Sequence, residues 1–61
     1  MLMLSDLLIG NDVDSYEDLV KAVEAVARQG EMFFQMDVKP PFPDTPENWE
    51  EQLEARFTSA R

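Results

Sequence analysis

The chain predicts a mainly α fold, a small helical hairpin or three-helix unit, on three observations. Tyr16, Leu19, Val20, Val23, Val26 and Ala27 recur at helical spacing between a polar start and Gly30. Thr45-Pro46-Glu47 is a second helix start, followed by Trp49, Leu53, Phe57 and Ala60 on one narrow stripe. Between them, Pro40, Pro41 and Pro43 interrupt any helix or ladder and favour an extended connector. The 61 residues, 1–61, make a single small acidic domain. A chain this short hides only about 60% of the surface its unfolded form exposes, so its margin of stability is thin. It has no Cys and no His, which removes disulfides and the usual zinc ligands as staples. Self-association or docking on a partner is what remains, and a dimer is expected.

Residues 1–10 place Met1, Leu4, Leu7 and Leu8 at helical spacing, and Gly10 stands where a left-handed residue would end such a turn, so a short helix is expected. A strand through residues 2–4, giving a short two-stranded sheet, is the alternative, because so brief an apolar run does not fix its own period. The run is not read as a secretory leader: it lacks a preceding Lys or Arg, Ser5 and Asp6 interrupt it, and no small-residue cleavage pattern follows. No stretch approaches the roughly 18–20 apolar residues of a membrane helix, and a cytoplasmic location without membrane contact is expected.

Residues 11–15 have the composition of a turn whose side chains accept from the free amides of the next element. Either Asp14 with Glu17, or Ser15 with Asp18, forms a capping-box-like pair opening a helix over about 15–29. On its outer face Glu17 precedes Lys21, and Glu24 precedes Arg28, by four residues, the favourable order for ion pairs of about 0.2–0.5 kcal/mol each. From 31 to 39, Met32, Phe34, Met36 and Val38 alternate with Phe33, Gln35, Asp37 and Lys39, with Phe33 as the exception to a period of two. Met32, Phe33 and Met36 also suit a helical face, so strand and helix both stay open; a strand would need a partner from residues 2–4 or from another copy. The last helix is expected from about 46 to 60, with Thr45 as hydroxyl cap and Glu47 where the macrodipole favours an acid.

Thirteen Asp and Glu against five Lys and Arg give a formal net charge of -8. That sign opposes direct binding to nucleic acid and to anionic lipid, which require Lys and Arg at the contact. It attracts basic clefts of other proteins, including those that bind nucleic acid. Catalytic chemistry is thin. Ser5, Ser15 and Ser59 have no evident activating base, and carboxylates on helix surfaces lack the burial that would split their pKa values. Asp12, Asp14 and Glu17 lack the central glycine and closing Glu of an EF-hand loop, where Val23 would stand at the last position. No enzyme, metal or cofactor is expected.

The most distinctive surface feature is the run Glu47, Glu50, Glu51 and Glu54, one acidic row beside Trp49 that Asp44 extends upstream. Glu47 faces Glu51 and Glu50 faces Glu54 as like charges, costing the helix a few tenths of a kcal/mol per pair, partly offset by its N-terminus. Carboxylates one turn apart rise by about 6 Å, near the spacing of phosphates along a nucleic-acid strand, so nucleic-acid mimicry is one use of the row. A solvated face that only keeps the protein soluble is the plain one. Asp44, Glu47, Trp49, Glu50, Glu51 and Glu54 are the candidate partner-binding residues. Met32, Phe33, Phe34 and Met36 are the candidate self-association residues, because adaptable Met and large aromatic rings dominate contact energetics. The expectation is a non-enzymatic interaction module, an inhibitor or modulator that docks its C-terminal helix on a basic surface of another protein. The alternative is a structural homo-oligomer whose charge serves solubility alone.

Asp14-Ser15-Tyr16 resembles the Asp-Ser-Leu site at which acyl carrier proteins hold a phosphopantetheine arm. Those carriers place a whole helix and a long loop before the serine, whereas fourteen residues precede Ser15, and Tyr16 stands where the family has Leu. Ser15 is therefore read as a helix cap and no cofactor is carried over.

Overall fold

Leu2 and Met3 extend before the chain turns into a helix at Leu4, so each reading of the N-terminal stretch holds in part. The computed structural model describes residues 2–10 and 13–60; Met1, the Asn11-Asp12 half of the expected turn, and Arg61 lie outside the described residues. Within that range the order is β1 (Leu2–Met3), α1 (Leu4–Gly10), α2 (Tyr16–Arg28), β2 (Phe34–Gln35) and α3 (Trp49–Ala60). The fold is mainly α with a short two-stranded sheet.

β1 and β2 run parallel, Leu2 opposite Phe34 and Met3 opposite Gln35. A parallel pair needs a long crossover, and α1 with α2 provides it. The pairing makes Phe34 and Gln35 a strand, because β1 supplies the backbone partner that a lone strand would lack; the rest of 31–39 is neither strand nor helix, and the helical face of Met32, Phe33 and Met36 does not form. Strand alternation then sends neighbours to opposite sides. Phe34 turns inward to stack on Phe57, ring centroids 5.2 Å apart, while Phe33 turns out and is 65% exposed.

The end of the β2 segment holds the start of α1. The Asp37 carboxylate accepts from the Ser5 hydroxyl at 2.7 Å and from the Ser5 amide at 3.1 Å, meeting an amide that has no partner within the helix. Those bonds, the hydroxyl's first, hold the Asp37 carboxyl below the usual aspartate range. Gly10 ends α1 without the left-handed turn expected of it; among the described residues only Gly30 has positive φ, at 100°. The Gly30 amide donates to the Ala27 carbonyl at 3.1 Å and closes α2 there, in a conformation any side chain would strain.

α2 follows its sequence closely. Ser15 is extended, φ -149° and ψ 166°, and its hydroxyl accepts from the Asp18 amide at 3.2 Å, so Ser15 and Asp18 form the cap. Asp18 reaches back to the Asp14 amide at 3.4 Å. Tyr16, Leu19, Val23 and Ala27 are buried, with Val20 and Val26 packed beside them. Glu17 pairs with Lys21 at 3.7 Å. Glu24 does not pair with Arg28: α3 lies alongside and brings Arg56 to 3.8 Å from the Glu24 carboxylate.

Leu4, Leu19, Val23 and Leu53 are fully covered and form the centre of the core, which joins α1, α2 and α3. Residues 36–48 carry no helix or strand. Their tail is shaped by Thr45, whose amide donates to the Phe42 carbonyl at 3.1 Å and whose hydroxyl donates to the Pro40 carbonyl at 3.5 Å. With its hydroxyl turned back into this turn, Thr45 is not the expected cap. Asn48 takes that place, its carbonyl accepting from the Gln52 amide at 3.0 Å, and α3 begins at Trp49 instead of about residue 46. Tyr16 ties the connector and α3 to α2: its amide donates to both Asp44 oxygens, at 3.0 and 3.2 Å, and its hydroxyl donates to Gln52 Oε1 at 3.0 Å. Burial, opposed by Arg56 and aided by Asp44, pushes the Tyr16 phenol up, so it stays a neutral donor. No helix among the described residues is long and apolar enough to cross a membrane.

Candidate interaction surface

α3 buries Leu53 and Phe57 and half-buries Trp49 against the core, and leaves Glu50, Glu51 and Glu54 exposed, with Glu50 and Glu54 flanking the buried stripe on the β2 side. Glu47 is exposed in the turn just before the helix. Of the predicted acidic row, Glu50, Glu51 and Glu54 are carried by the helix, while Glu47 stands outside it because α3 starts later than expected. Among the described residues no ion pair reaches any of the four glutamates: Lys21 is engaged by Glu17, and Arg56 by Glu24. Their mutual repulsion is thus met only by solvent and by the α3 N-terminus.

Asp44 stands apart from that row. Both of its carboxylate oxygens are turned to the Tyr16 amide, where a negative charge meets the positive end of α2. Its place is a support for α2 and for the connector.

The predicted self-association residues divide in two. Met32 and Phe33 are 61% and 65% exposed, whereas Phe34 and Met36 are partly buried and packed on the core. The outward pair is large and apolar, and it does not stand alone on the surface. Phe33, Phe34, Gln35 and Met36 line a hollow of about 420 Å³ whose far wall is Glu50. A second hollow, of about 350 Å³, sets Glu54 and Thr58 of α3 against Met32 and Phe33. The structure joins two sets that the sequence keeps apart: an apolar strand edge and an acidic helix face border the same depressions.

Gln35 and Thr58 belong to this surface and were not singled out from the sequence. Gln35 was within reach, since a period of two places the polar residue between Phe34 and Met36 on the outer side. Thr58 had no signal, because its place depends on how β2 lies beside α3.

The β2 register fixes one more feature. The Leu2 amide donates to the Phe33 carbonyl at 2.9 Å, and alternate residues of a parallel ladder address opposite neighbours. The Phe34 amide and carbonyl accordingly face away from β1, and among the described residues no other group bonds them. Chemically the site offers apolar rings, fixed negative charge and an open backbone edge. Among the described residues no group of three or more His, Cys, Asp or Glu could hold a metal ion. Compared with known proteins, the chain matches no family model, no curated protein and no solved structure, and the surface is read from its own chemistry.

Proposed function

We propose that this protein is a non-enzymatic interaction module, an inhibitor or modulator, that docks the outer face of α3 and the adjoining β2 patch on a partner protein whose surface is basic and apolar together. The observation that carries this reading is the sharing of hollows between exposed Phe33 and Met32 and Glu50 and Glu54, which have no ion pair among the described residues. Each half has its own task. The glutamate row supplies the long-range field that steers a cationic partner, and the rings supply the short-range area that holds it. A plain solvated face needs only the charge, and it gives no reason for two large apolar side chains to stand exposed beside it. Proteins that bind nucleic acid are one class of partner, since their clefts are basic. A cytoplasmic setting fits a chain without cysteine.

The second reading, a homodimer through Met32, Phe33, Phe34 and Met36, draws on the same exposed rings. A second copy seated there would bring its own glutamate row and another charge of -8 against the first. The chain also closes a core by itself: its radius of gyration is 10.3 Å, against roughly 10.5 Å for an independent domain of its length.

The quadruple variant Glu47→Gln, Glu50→Gln, Glu51→Gln, Glu54→Gln tests the proposal. Proteins retained from lysate by the wild-type chain and not by the variant are expected, and a retained protein titrated in purified form should bind more weakly as salt rises. Equal binding by the variant would exclude the docking role. Sedimentation at low and high salt addresses the dimer, whose repulsion salt would relieve; a dimer that tightens with salt and no salt-sensitive partner would favour the second reading.

A further inference from the structure

We infer that the partner presents an extended segment, Lys or Arg alternating with apolar residues, which adds to the free edge of β2 as a third strand. The inference rests on the docking role proposed above and specifies the form of the occupant. β2 has one neighbour, β1, and the register leaves the amide and carbonyl of Phe34 directed outward with no bond among the described residues. An edge that a protein does not use is commonly blunted by shortness, an inward charge, a proline, a bulge or a covering element, and of these β2 shows shortness, its two residues offering one outward amide and carbonyl at Phe34. Residues 32–36 contain none of the residues that would blunt it: the run is Met-Phe-Phe-Gln-Met, and the first lysine and proline follow at Lys39 and Pro40.

The shape of the edge suits an extended chain. The hollow along Phe33, Phe34, Gln35 and Met36 follows the strand, with Glu50 across from it. An added strand directs successive side chains to opposite faces, so one set of its residues can rest on exposed Phe33 while the other set lies over the hollow that Met32 shares with Glu54 and carries its cationic ends to Glu50 and Glu54. A helix laid in the same hollow would have its backbone already bonded within itself, leaving the Phe34 groups unmet.

Charge selects the occupant among extended chains. A second copy of this protein would pair edge to edge only by setting one glutamate row near the other, whereas a cationic strand neutralises the row it approaches. The occupant is therefore a basic segment of another protein.

The test uses the full chain and a defined probe, an eight-residue peptide alternating lysine with valine, beside the same peptide N-methylated at every backbone amide. The methylated peptide keeps the charges and the apolar groups and loses the amide donors. The expected result is binding of the unmethylated peptide that weakens as salt rises, at least about tenfold weaker binding of the methylated one, and slowed hydrogen exchange at the Phe34 amide in the complex. Equal binding by both peptides, or an unprotected Phe34 amide, would overturn strand addition and leave acidic docking standing. Binding unchanged in the Glu50→Gln, Glu54→Gln variant would overturn the docking role itself. Absence of binding by the unmethylated peptide would overturn the strand inference, and the lysate comparison would then decide the docking role separately.

Discussion

α2 and α3 are helices of similar length in one core, and they treat charge in opposite ways. α2 joins Ser15 to the Asp18 amide, Glu17 to Lys21, Glu24 to Arg56 and Gly30 to Ala27, so that its ends and its outer face are bonded. α3 buries Leu53 and Phe57 just as deeply, yet Glu50, Glu51 and Glu54 on it and Glu47 just before it have no ion pair among the described residues. Local repulsion of this kind lowers helix stability, and Lys or Arg at one of the four positions would relieve it. The difference teaches where this small protein spends its charge on folding and where its charge faces outward.

The comparison predicts first that the two helices depend equally on their apolar stripes. Replacing fully buried Leu53 with Ala should destabilise by about 2–5 kcal/mol, and Leu19→Ala in α2 by a similar amount. A domain of 61 residues has about 3–9 kcal/mol in total, so either variant should be largely unfolded or close to it. Urea denaturation followed by far-UV circular dichroism measures this. A stable Leu53→Ala protein would mean that α3 is an appendage and not part of the core.

The next effect separates the helix starts. Ser15→Ala removes the hydroxyl that meets the Asp18 amide and should cost about 1 kcal/mol. Asp44→Ala removes the carboxylate that meets the Tyr16 amide and should cost about as much, while leaving partner binding intact, because Asp44 is turned toward α2. A loss of binding at unchanged stability would return Asp44 to the acidic row.

These residues also mark how far the sequence could be read. α2 was legible to within a residue or two, because its stripe, its cap and Gly30 are all local signals. The sheet is ambiguous in the sequence because a two-residue strand has no period to detect, and because the partner of Phe34 lies at Leu2, across the whole α1–α2 crossover. The start of α3 was misplaced for a related reason: Thr45 has the chemistry of a cap, and only the folded connector reveals that its hydroxyl is taken by Pro40. The same holds for Glu24, whose nearest cation in sequence is Arg28 and whose partner in space is Arg56. For Glu50, Glu51 and Glu54 the helical period was enough, but Glu47 falls outside α3 with the misplaced helix start. Its meeting with Phe33 and Met32 could not be foreseen, since it depends on β2 lying beside α3.

A smaller effect sharpens the contrast by its sign. Neutralising Glu47, Glu50, Glu51 and Glu54 to Gln removes the one like-charge pair that lies within α3, Glu50 with Glu54, and should leave the helix as stable or stabilise it by a few tenths of a kcal/mol. Glu17→Gln in α2 should destabilise by about 0.3 kcal/mol, since it loses a favourable exposed pair with Lys21. Equal signs in the two measurements would remove the distinction between the helices.

The smallest effect expected concerns neither helix row but Asp37, an acid that is bonded and fully exposed, and so lies between the two cases. Its carboxyl is held below the usual aspartate range by the Ser5 hydroxyl and amide, so as pH falls the unfolded chain takes up this proton first. The stabilisation is therefore complete above the unfolded aspartate value and is lost as pH falls through the folded one. Asp37→Asn should flatten the acid limb of the stability curve, with the change confined to pH values below about 4, where an unperturbed aspartate titrates. A stability curve measured from neutral to acid pH checks it: if the variant follows the wild-type limb, the Ser5 bonds do not form in solution, and α1 starts without support from the β2 side.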